Sequence, residues 1–174
     1  MTFRYGSAII VGMLMSVGSF GQTADEYKVK AAFLFNFPKF VEWPAQSFKG
    51  PADPIVIGVL GRNPFHDALP DALAGKKING RSFQVREISD ISQAAGCQIL
   101  FVASSERKRA LDLLSGITGV LTVGETAKFA DEGGVINFKI EAGNVRLQIN
   151  LEAARRQRLH ISAKLLSLAE IVEK

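Results

Sequence analysis

Three short apolar runs lie in the middle of the sequence, at residues 55–62, 98–103 and 119–124. A continuous apolar run of this length, bounded by turn residues, is typical of a strand that is covered on both faces. Such strands are characteristic of parallel sheets, because the crossover connections place helices over the sheet. The runs therefore predict the central strands of an α/β domain.

Segments with helical character surround these runs. The first, at residues 24–41, is apolar on most sides, with Asp25 placed to cap or charge its start and Pro38 near its end. Ser162 is a predicted N-cap of the last one. The predicted helices are residues 24–41, 63–75, 89–95, 106–117, 125–134, 151–157 and 162–172.

The order of these elements predicts the fold class. Apolar and polar residues alternate over residues 83–88, which predicts a strand. Residues 135–150 have the pattern of a β-hairpin that turns at Ala142-Gly143-Asn144. Strands that alternate with helices favour a three-layer α/β fold, with a mostly parallel central sheet, helices on both faces and an antiparallel hairpin at one edge. We expect a single domain over residues 22–174.

The first 21 residues differ from the rest of the chain. Arg4 is followed by an apolar run from Ala8 to Val17, and small residues at 19 and 21 suit cleavage after Gly21. This pattern predicts a secretory signal peptide and a mature protein in the periplasm; a retained N-terminal anchor is the alternative. The run is shorter than the roughly 20 residues of a membrane span.

Charge gives little reason to expect nucleic acid. The chain has 21 basic and 17 acidic residues, so loss of Arg4 with the leader leaves a net charge of 20 − 17 = +3. Nucleic-acid-binding domains usually carry a clustered basic face. We therefore predict no nucleic-acid partner.

Cys97 is the one cysteine, so an intramolecular disulfide is impossible. Its place before an apolar run favours a small buried side chain. The alternative is an intermolecular disulfide, which an oxidising compartment would permit.

Patterns that support catalysis are absent from the sequence. Two histidines far apart, His66 and His160, and one cysteine make a zinc site improbable. There is no Gly-x-Ser-x-Gly elbow and no Walker loop, and Gly58 to Gly61 lacks the third glycine of a dinucleotide fingerprint. The sequence therefore favours a binding protein without cofactor or metal over an enzyme.

Polar residues follow the three apolar runs, and ligands bind at the carboxyl ends of strands in open parallel sheets. Arginine and serine there could hold a carboxylate or phosphate. The alternative is that these residues only cap helices. The candidate ligand-binding residues are Arg62, Asn63, Ser104, Ser105 and Glu125.

Two further features could contact a partner protein: an aromatic stretch at residues 33–43 and a cluster of arginines at residues 155–158. Core packing and a solvated basic face are the respective alternatives. The candidate partner-binding residues are Phe35, Lys39, Trp43, Arg155, Arg156 and Arg158.

Motifs along the whole mature chain resemble those of the YfiR/HmsC-like family of periplasmic proteins. They are FLFNFPKFVEWP (33–44), IGVLGRNPFHDAL (57–69), KKINGRSFQVREI (76–88), CQILFVASSE (97–106) and residues 133–172. Their order and spacing together carry the resemblance.

The resemblance implies a regulator. Named members of the family repress an inner-membrane diguanylate cyclase by contacting its periplasmic sensor domain, and so control cyclic-di-GMP and biofilm output. The family is also linked to homodimers, and the resemblance therefore implies a homodimer here. It is linked as well to redox control through disulfides, but Cys97 is the one cysteine, so this chain cannot form an intramolecular disulfide. The alternative function is a periplasmic sensor or solute-binding protein for a small anionic or aromatic ligand.

Overall fold

The computed structural model describes residues 19–106, 114 and 116–172. Within these residues it contains nine strands and four α-helices. The strands are β1 (Val41–Glu42), β2 (Ile55–Leu60), β3 (Phe83–Ile88), β4 (Ile99–Val102), β5 (Leu121–Gly124), β6 (Ile136–Glu141), β7 (Asn144–Asn150), β8 (His160–Ile161) and β9 (Ala169–Val172). The helices are α1 (Ser19–Asn36), α2 (Ala68–Leu73), α3 (Leu151–Arg156) and α4 (Ala163–Leu166).

Seven strands form one sheet in the order β3-β2-β4-β5-β6-β7-β9. Neighbours from β3 to β6 are parallel, β6 and β7 form an antiparallel hairpin, and β9 pairs parallel to β7. The hairpin turns through Ala142 and Gly143, both with positive φ, as two-residue hairpin turns require. The predicted mixed α/β fold with a mostly parallel sheet is confirmed, although β9 rather than the hairpin forms that edge.

A second, two-stranded sheet joins distant parts of the chain. β1 and β8 are antiparallel, with Val41 opposite Ile161 and Glu42 opposite His160. The amide of Ser162 adds a hydrogen bond of 2.8 Å to the carbonyl of Phe40. The segment after α1 is thereby attached to the segment before α4.

The two faces of the sheet carry separate cores. The larger lies under α1 and α2, where Phe65 packs edge-on against Phe101, with ring centroids 4.7 Å apart. The smaller lies on the opposite face and includes Cys97, Leu114 and Phe129. Burial of both faces explains why β2, β4 and β5 are apolar without alternation.

The first helix differs from its prediction at both ends. Its described part already includes Ser19, five residues before the predicted start, and Asp25 is a residue of its interior that accepts from Lys28 at 3.2 Å. It ends at Asn36, because Pro38 lacks the amide that the next helical turn needs and lies in a 3₁₀ turn, Phe37–Lys39. No helix in the described part of the chain is long and apolar enough to cross a membrane.

The prediction of a helix at residues 125–134 was wrong. The segment consists of turns, with positive φ at Lys128 and Gly133. Its Phe129 ring is packed between the backbones of Gly124 and Gly134, where a β-carbon on either glycine would overlap the ring. The local helical pattern is overridden by this contact.

The predicted helix at residues 162–172 was wrong in its second half. Ser162 caps α4 as expected, but that helix ends at Leu166. Residues 169–172 form β9, in which Ile171 lies opposite Ile149 and packs on the core. Pairing with β7 satisfies this segment's backbone within the sheet, which a local pattern cannot reveal.

The remaining helix predictions have mixed outcomes. α2 and α3 lie inside the predicted 63–75 and 151–157 segments. The segment at 89–95 is a 3₁₀ turn, Ile91–Ala94, opened by a capping box at Asp90. Most of the predicted 106–117 helix lies outside the described residues.

Candidate functional site

α1 reaches the carboxyl end of the sheet through a buried ion pair. The ammonium of Lys30 lies 2.7 Å from a carboxylate oxygen of Glu125, the first residue after β5. Both side chains are almost fully buried, at 3% and 4% exposure. Lys30 also pairs with Glu26 one turn earlier on the helix. The contact therefore fixes α1 over the end of the central strands.

Other groups complete the surroundings of the Glu125 carboxylate. The Tyr27 hydroxyl donates to it at 3.1 Å, and the backbone amide of Ser104 donates to its other oxygen at 3.1 Å. Burial, together with the nearby Glu125 carboxylate, raises the pKa of Tyr27 far above its usual value, so the phenol stays protonated. Both oxygens of the Glu125 side chain thus have hydrogen-bond partners.

Two of the predicted ligand residues line a small cavity at the same end of the sheet. Arg62 and Ser105 border a space of about 460 Å³ together with Glu87 and Glu106. The Ser105 hydroxyl accepts from the Arg62 amide at 3.0 Å, and Asn63 donates to Glu87 at 3.1 Å. The structure therefore brings Arg62, Asn63 and Ser105 close to one another.

The other two predicted ligand residues form a separate pair. Ser104 meets Glu125 through its backbone amide, and the Glu125 carboxylate is directed at Lys30. A ligand at this end of the sheet would therefore meet Arg62 and Ser105 rather than a free Glu125.

Among the predicted partner-binding residues, Phe35 and Lys39 lie in a cationic environment. The Phe35 ring is half-buried and has the ammonium groups of Lys39 and Lys76 at 4.8 and 4.7 Å from its centroid. It also packs against Phe83 of β3, with centroids 5.5 Å apart. The exposed part of this patch combines an aromatic face with two positive charges.

Trp43 is tied to the interior. Its indole N–H donates to the Gln98 carbonyl at 2.9 Å. The buried Gln98 side chain accepts from the Val56 amide and donates to the Ser47 carbonyl, at 2.8 and 2.7 Å. These bonds hold residues 43–47 against the amino ends of β2 and β4. Trp43 therefore stabilises the fold with its indole N–H, while the rest of its side chain is partly exposed.

The three predicted arginines lie at the end of α3. Arg155 and Arg156 are exposed and reach Glu152 at 3.5 and 3.9 Å, distances that allow weak surface pairing. Arg158 follows the helix with a left-handed φ of +56° and is also exposed. The cluster projects into solvent as the sequence pattern indicated.

The β1–β8 ladder brings the aromatic segment and the arginine cluster to one region. Across it, His160 lies 3.9 Å from Glu42, and the Lys164 ammonium lies 5.7 Å from the Phe40 ring centroid. Arg158 is two residues before β8. We call the surface formed by Phe40, Arg155, Arg156, Arg158 and Lys164 the basic aromatic surface.

Sequence reasoning missed Lys30, the most buried charged residue described. A signal was present, since Lys30 shares the inward face of α1 with Tyr27, Ala31 and Leu34. A lysine on an apolar helix face requires an acidic partner, but the sequence does not identify Glu125 as that partner.

Groups for chemistry are sparse in the described part of the chain. No three His, Cys, Asp or Glu side chains there lie close enough together to hold a metal ion. Cys97 is 3% exposed and unbonded to another cysteine, and burial raises the pKa of its thiol, which disfavours the reactive thiolate. Cys97 is therefore poorly placed to act as a nucleophile.

Solved structures with a similar fold include two bacterial proteins. One is described as the ABC domain in complex with L-Trp from Streptococcus pneumoniae, and the other as a conserved domain protein from Vibrio cholerae. Each has a TM-score of 0.54, at 10% and 11% identity. The matches cover 84% of this chain but only 60% of either of those chains. At such identities the likeness establishes a shared fold alone.

A search of the curated proteins found no match. The scan against protein-family models matched the model described as YfiR/HmsC-like over residues 27–170, from α1 into β9. That range contains the sheet up to the first half of β9, the buried Lys30–Glu125 pair and the basic aromatic surface. The chain belongs to the YfiR/HmsC-like family.

Proposed function

We propose that this protein is a periplasmic regulator that binds the periplasmic sensor domain of an inner-membrane diguanylate cyclase and holds the enzyme inactive. The observation that carries the proposal is the family match, which extends over residues 27–170. Repression of this kind would lower cyclic-di-GMP and with it biofilm output. It requires tighter binding to the inactive than to the active state of the cyclase.

The basic aromatic surface is the proposed contact. It combines the exposed Arg155 and Arg156 at the end of α3 with Phe40, whose ring has the Lys164 ammonium 5.7 Å from its centroid. Arginine and aromatic side chains are enriched where proteins bind one another, because they combine contact area with directed hydrogen bonds. A cyclase sensor domain that fits this surface should present carboxylates.

Co-purification tests the proposal. Membranes that contain a diguanylate cyclase encoded beside this protein should retain the wild-type chain, and Arg155→Glu with Arg156→Glu should abolish retention and raise cyclic-di-GMP. Lys77→Glu is the matched control, because Lys77 is an exposed lysine remote in sequence from α3. If the variant with both Arg155→Glu and Arg156→Glu is retained as well as the wild type, this surface is not the contact. If the membranes retain neither the wild type nor any variant, the cyclase is not the partner.

A ligand sensor at the carboxyl ends of the strands is the second candidate. The cavity beside Arg62 and Ser105 favours it, since Arg62 can bind an anionic group while Glu87 and Glu106 line the same cavity. One protein of similar fold was solved with L-Trp. A ligand bound only by the native state raises the melting temperature, so a screen of small anions and aromatic amino acids should give a shift that Arg62→Gln removes.

A further inference from the structure

A larger cavity lies at the opposite end of the sheet from the predicted ligand residues. It has a volume of about 590 Å³, within the usual range for small-molecule sites, and opens where β4 and β5 begin. Its walls come from the segment after β1, the Ile91–Ala94 turn and the segment before β5. The described residues thus enclose it from three sides.

The walls of this cavity are mostly apolar. The half-buried side chains of Ile91 and Ile117 line it together with the mostly buried Val120, and Gly96 and Gly119 contribute bare backbone with positive φ. A ligand with an aliphatic or aromatic part would bury this apolar surface, which favours binding by about 25 cal/mol per Å².

Two cations border the cavity, Lys49 and Arg158, and none of its described lining residues is acidic. Neither side chain has an ion-pair partner among the described residues, unlike Arg155 and Arg156, which share Glu152. The residues that line the cavity therefore carry two positive charges and no negative one, and the nearby Asp53 carboxylate is bonded to the Lys49 backbone amide at 2.7 Å. An anionic group on a ligand would complement it.

The frame around the cavity is held by buried hydrogen bonds. Gln98 fixes residues 43–47 on one side through its bonds to Ser47 and Val56. Gln157 fixes the other side, accepting from the Val120 amide at 3.3 Å and donating to the Ile117 carbonyl at 2.9 Å. These two glutamines fix the positions of the two wall segments, and the cavity is present without a ligand.

Arg158 is placed at the rim by an unusual backbone. Its φ of +56° costs free energy for a residue with a β-carbon, and such conformations are retained where the surrounding structure requires them. Bonds from the Arg158 and Leu159 amides to the carbonyls of Arg155 and Ala154 hold the turn, each at 2.9 Å.

We infer that this cavity is a binding site for a small organic anion, with its apolar body against Ile91, Ile117 and Val120 and its anionic group against Lys49 and Arg158. The inference goes beyond the proposed repression and does not depend on the cyclase. It also places the ligand at the amino ends of the strands, opposite to the end where parallel sheets usually bind ligands.

Two fluorescent probes of similar carbon frame test the inference. The first, 1-anilinonaphthalene-8-sulfonate, carries a sulfonate, and the second, N-phenyl-1-naphthylamine, has no charge. Titration into the full chain should show the sulfonate probe binding more tightly than the neutral one. Arg158→Gln and Lys49→Gln should each weaken the sulfonate probe, together by about tenfold or more, and leave the neutral probe little changed.

Controls separate this site from general surface binding. Lys77→Gln removes an exposed charge that does not line the cavity and should change neither affinity. Ala95→Trp places an indole at the exposed rim and should block both probes, with circular dichroism confirming that the variant folds. Equal affinity for the two probes, or a sulfonate affinity unchanged by Arg158→Gln with Lys49→Gln, would overturn the inference.

Discussion

Lys30 shows how a single buried charge can determine the stability of the whole contact between α1 and the sheet. Lys30→Met leaves the Glu125 carboxylate buried without its ammonium partner, and breaking a buried pair from one side costs about 3–5 kcal/mol. We expect the free energy of unfolding in urea to fall by about that amount. Lys28→Met is the control, since its pair with Asp25 is exposed and should contribute less than about 1 kcal/mol.

Replacing both Lys30 and Glu125 shows whether Lys30→Met destabilises the protein by removing the ion-pair attraction or by leaving the Glu125 charge buried without a partner. Lys30→Met with Glu125→Gln removes both charges, so the double variant should recover a large part of the stability lost by Lys30→Met. A double variant less stable than Lys30→Met alone would show that hydrogen bonds to Glu125, from Tyr27 and Ser104, outweigh the ion pair.

Tyr27 gives the protein a pH dependence on the alkaline side. Because its pKa is raised in the folded state, the stability it contributes is fully present below the usual value of 10.0 and is lost as the pH rises further. Wild type should therefore lose stability above pH 10 more steeply than Tyr27→Phe does. Urea midpoints measured between pH 8 and pH 11 check this, and parallel curves for the two chains would contradict it.

The environment of a single residue could be predicted from the sequence when its contacts are with residues close to it in the chain. The cap at Ser162 and the burial of Cys97 follow from their immediate neighbours, and both are seen. The Lys30–Glu125 pair joins residues separated by 95 positions, which no local pattern connects.

At the scale of elements, the turn after β5 depends on two glycines. Gly124→Ala would drive a β-carbon into the Phe129 ring, and overpacking of this kind costs about 1–3 kcal/mol. We expect a lower unfolding midpoint by differential scanning calorimetry. Gly124→Ala combined with Phe129→Leu should cost less than the sum of the two single changes, and strict additivity would argue against the contact.

Gln98 attaches the segment after β1 to the sheet. Gln98→Leu leaves the Val56 amide and the Ser47 carbonyl without their partners, and each buried unsatisfied group costs about 1–3 kcal/mol. Residues 43–47 should loosen, which would shift the emission of Trp43, the one tryptophan, to longer wavelength. An unshifted spectrum with unchanged stability would contradict this role.

The elements that the sequence predicted well are those whose pattern and environment agree. The runs that became β2, β4 and β5 are buried on both faces, and the hairpin turn carries its own conformational signal at Ala142-Gly143. The segments that became the turns after β5 and strand β9 carry helical patterns, but Phe129 packing and pairing with β7 override them.

At the scale of the molecule, export remains a prediction. Fractionation of cells that make the full chain should place it in the periplasm, and intact mass should correspond to a chain that begins at Gln22. A chain with the leader uncut and bound to membranes would instead support the retained anchor.

The sequence predicted the fold class of the molecule but only part of its candidate sites. Arg62 and Ser105, both predicted at the carboxyl ends of strands, lie next to each other, and ligand binding by them stays a prediction. The larger cavity arises where segments 44–49, 91–97 and 116–120 meet, and its cations lie 109 positions apart (158 − 49). This cavity could not be predicted from the sequence, because it forms only when these distant segments come together in the fold.

The two-residue β1–β8 ladder makes the basic aromatic surface a composite of segments about 120 residues apart, such as Phe40 and Ser162. Under the proposed function, neither segment would carry the whole partner-binding surface in isolation. A synthetic peptide copied from either one should therefore compete poorly for the partner, and a newly exported chain should gain its activity only once its last strands have folded.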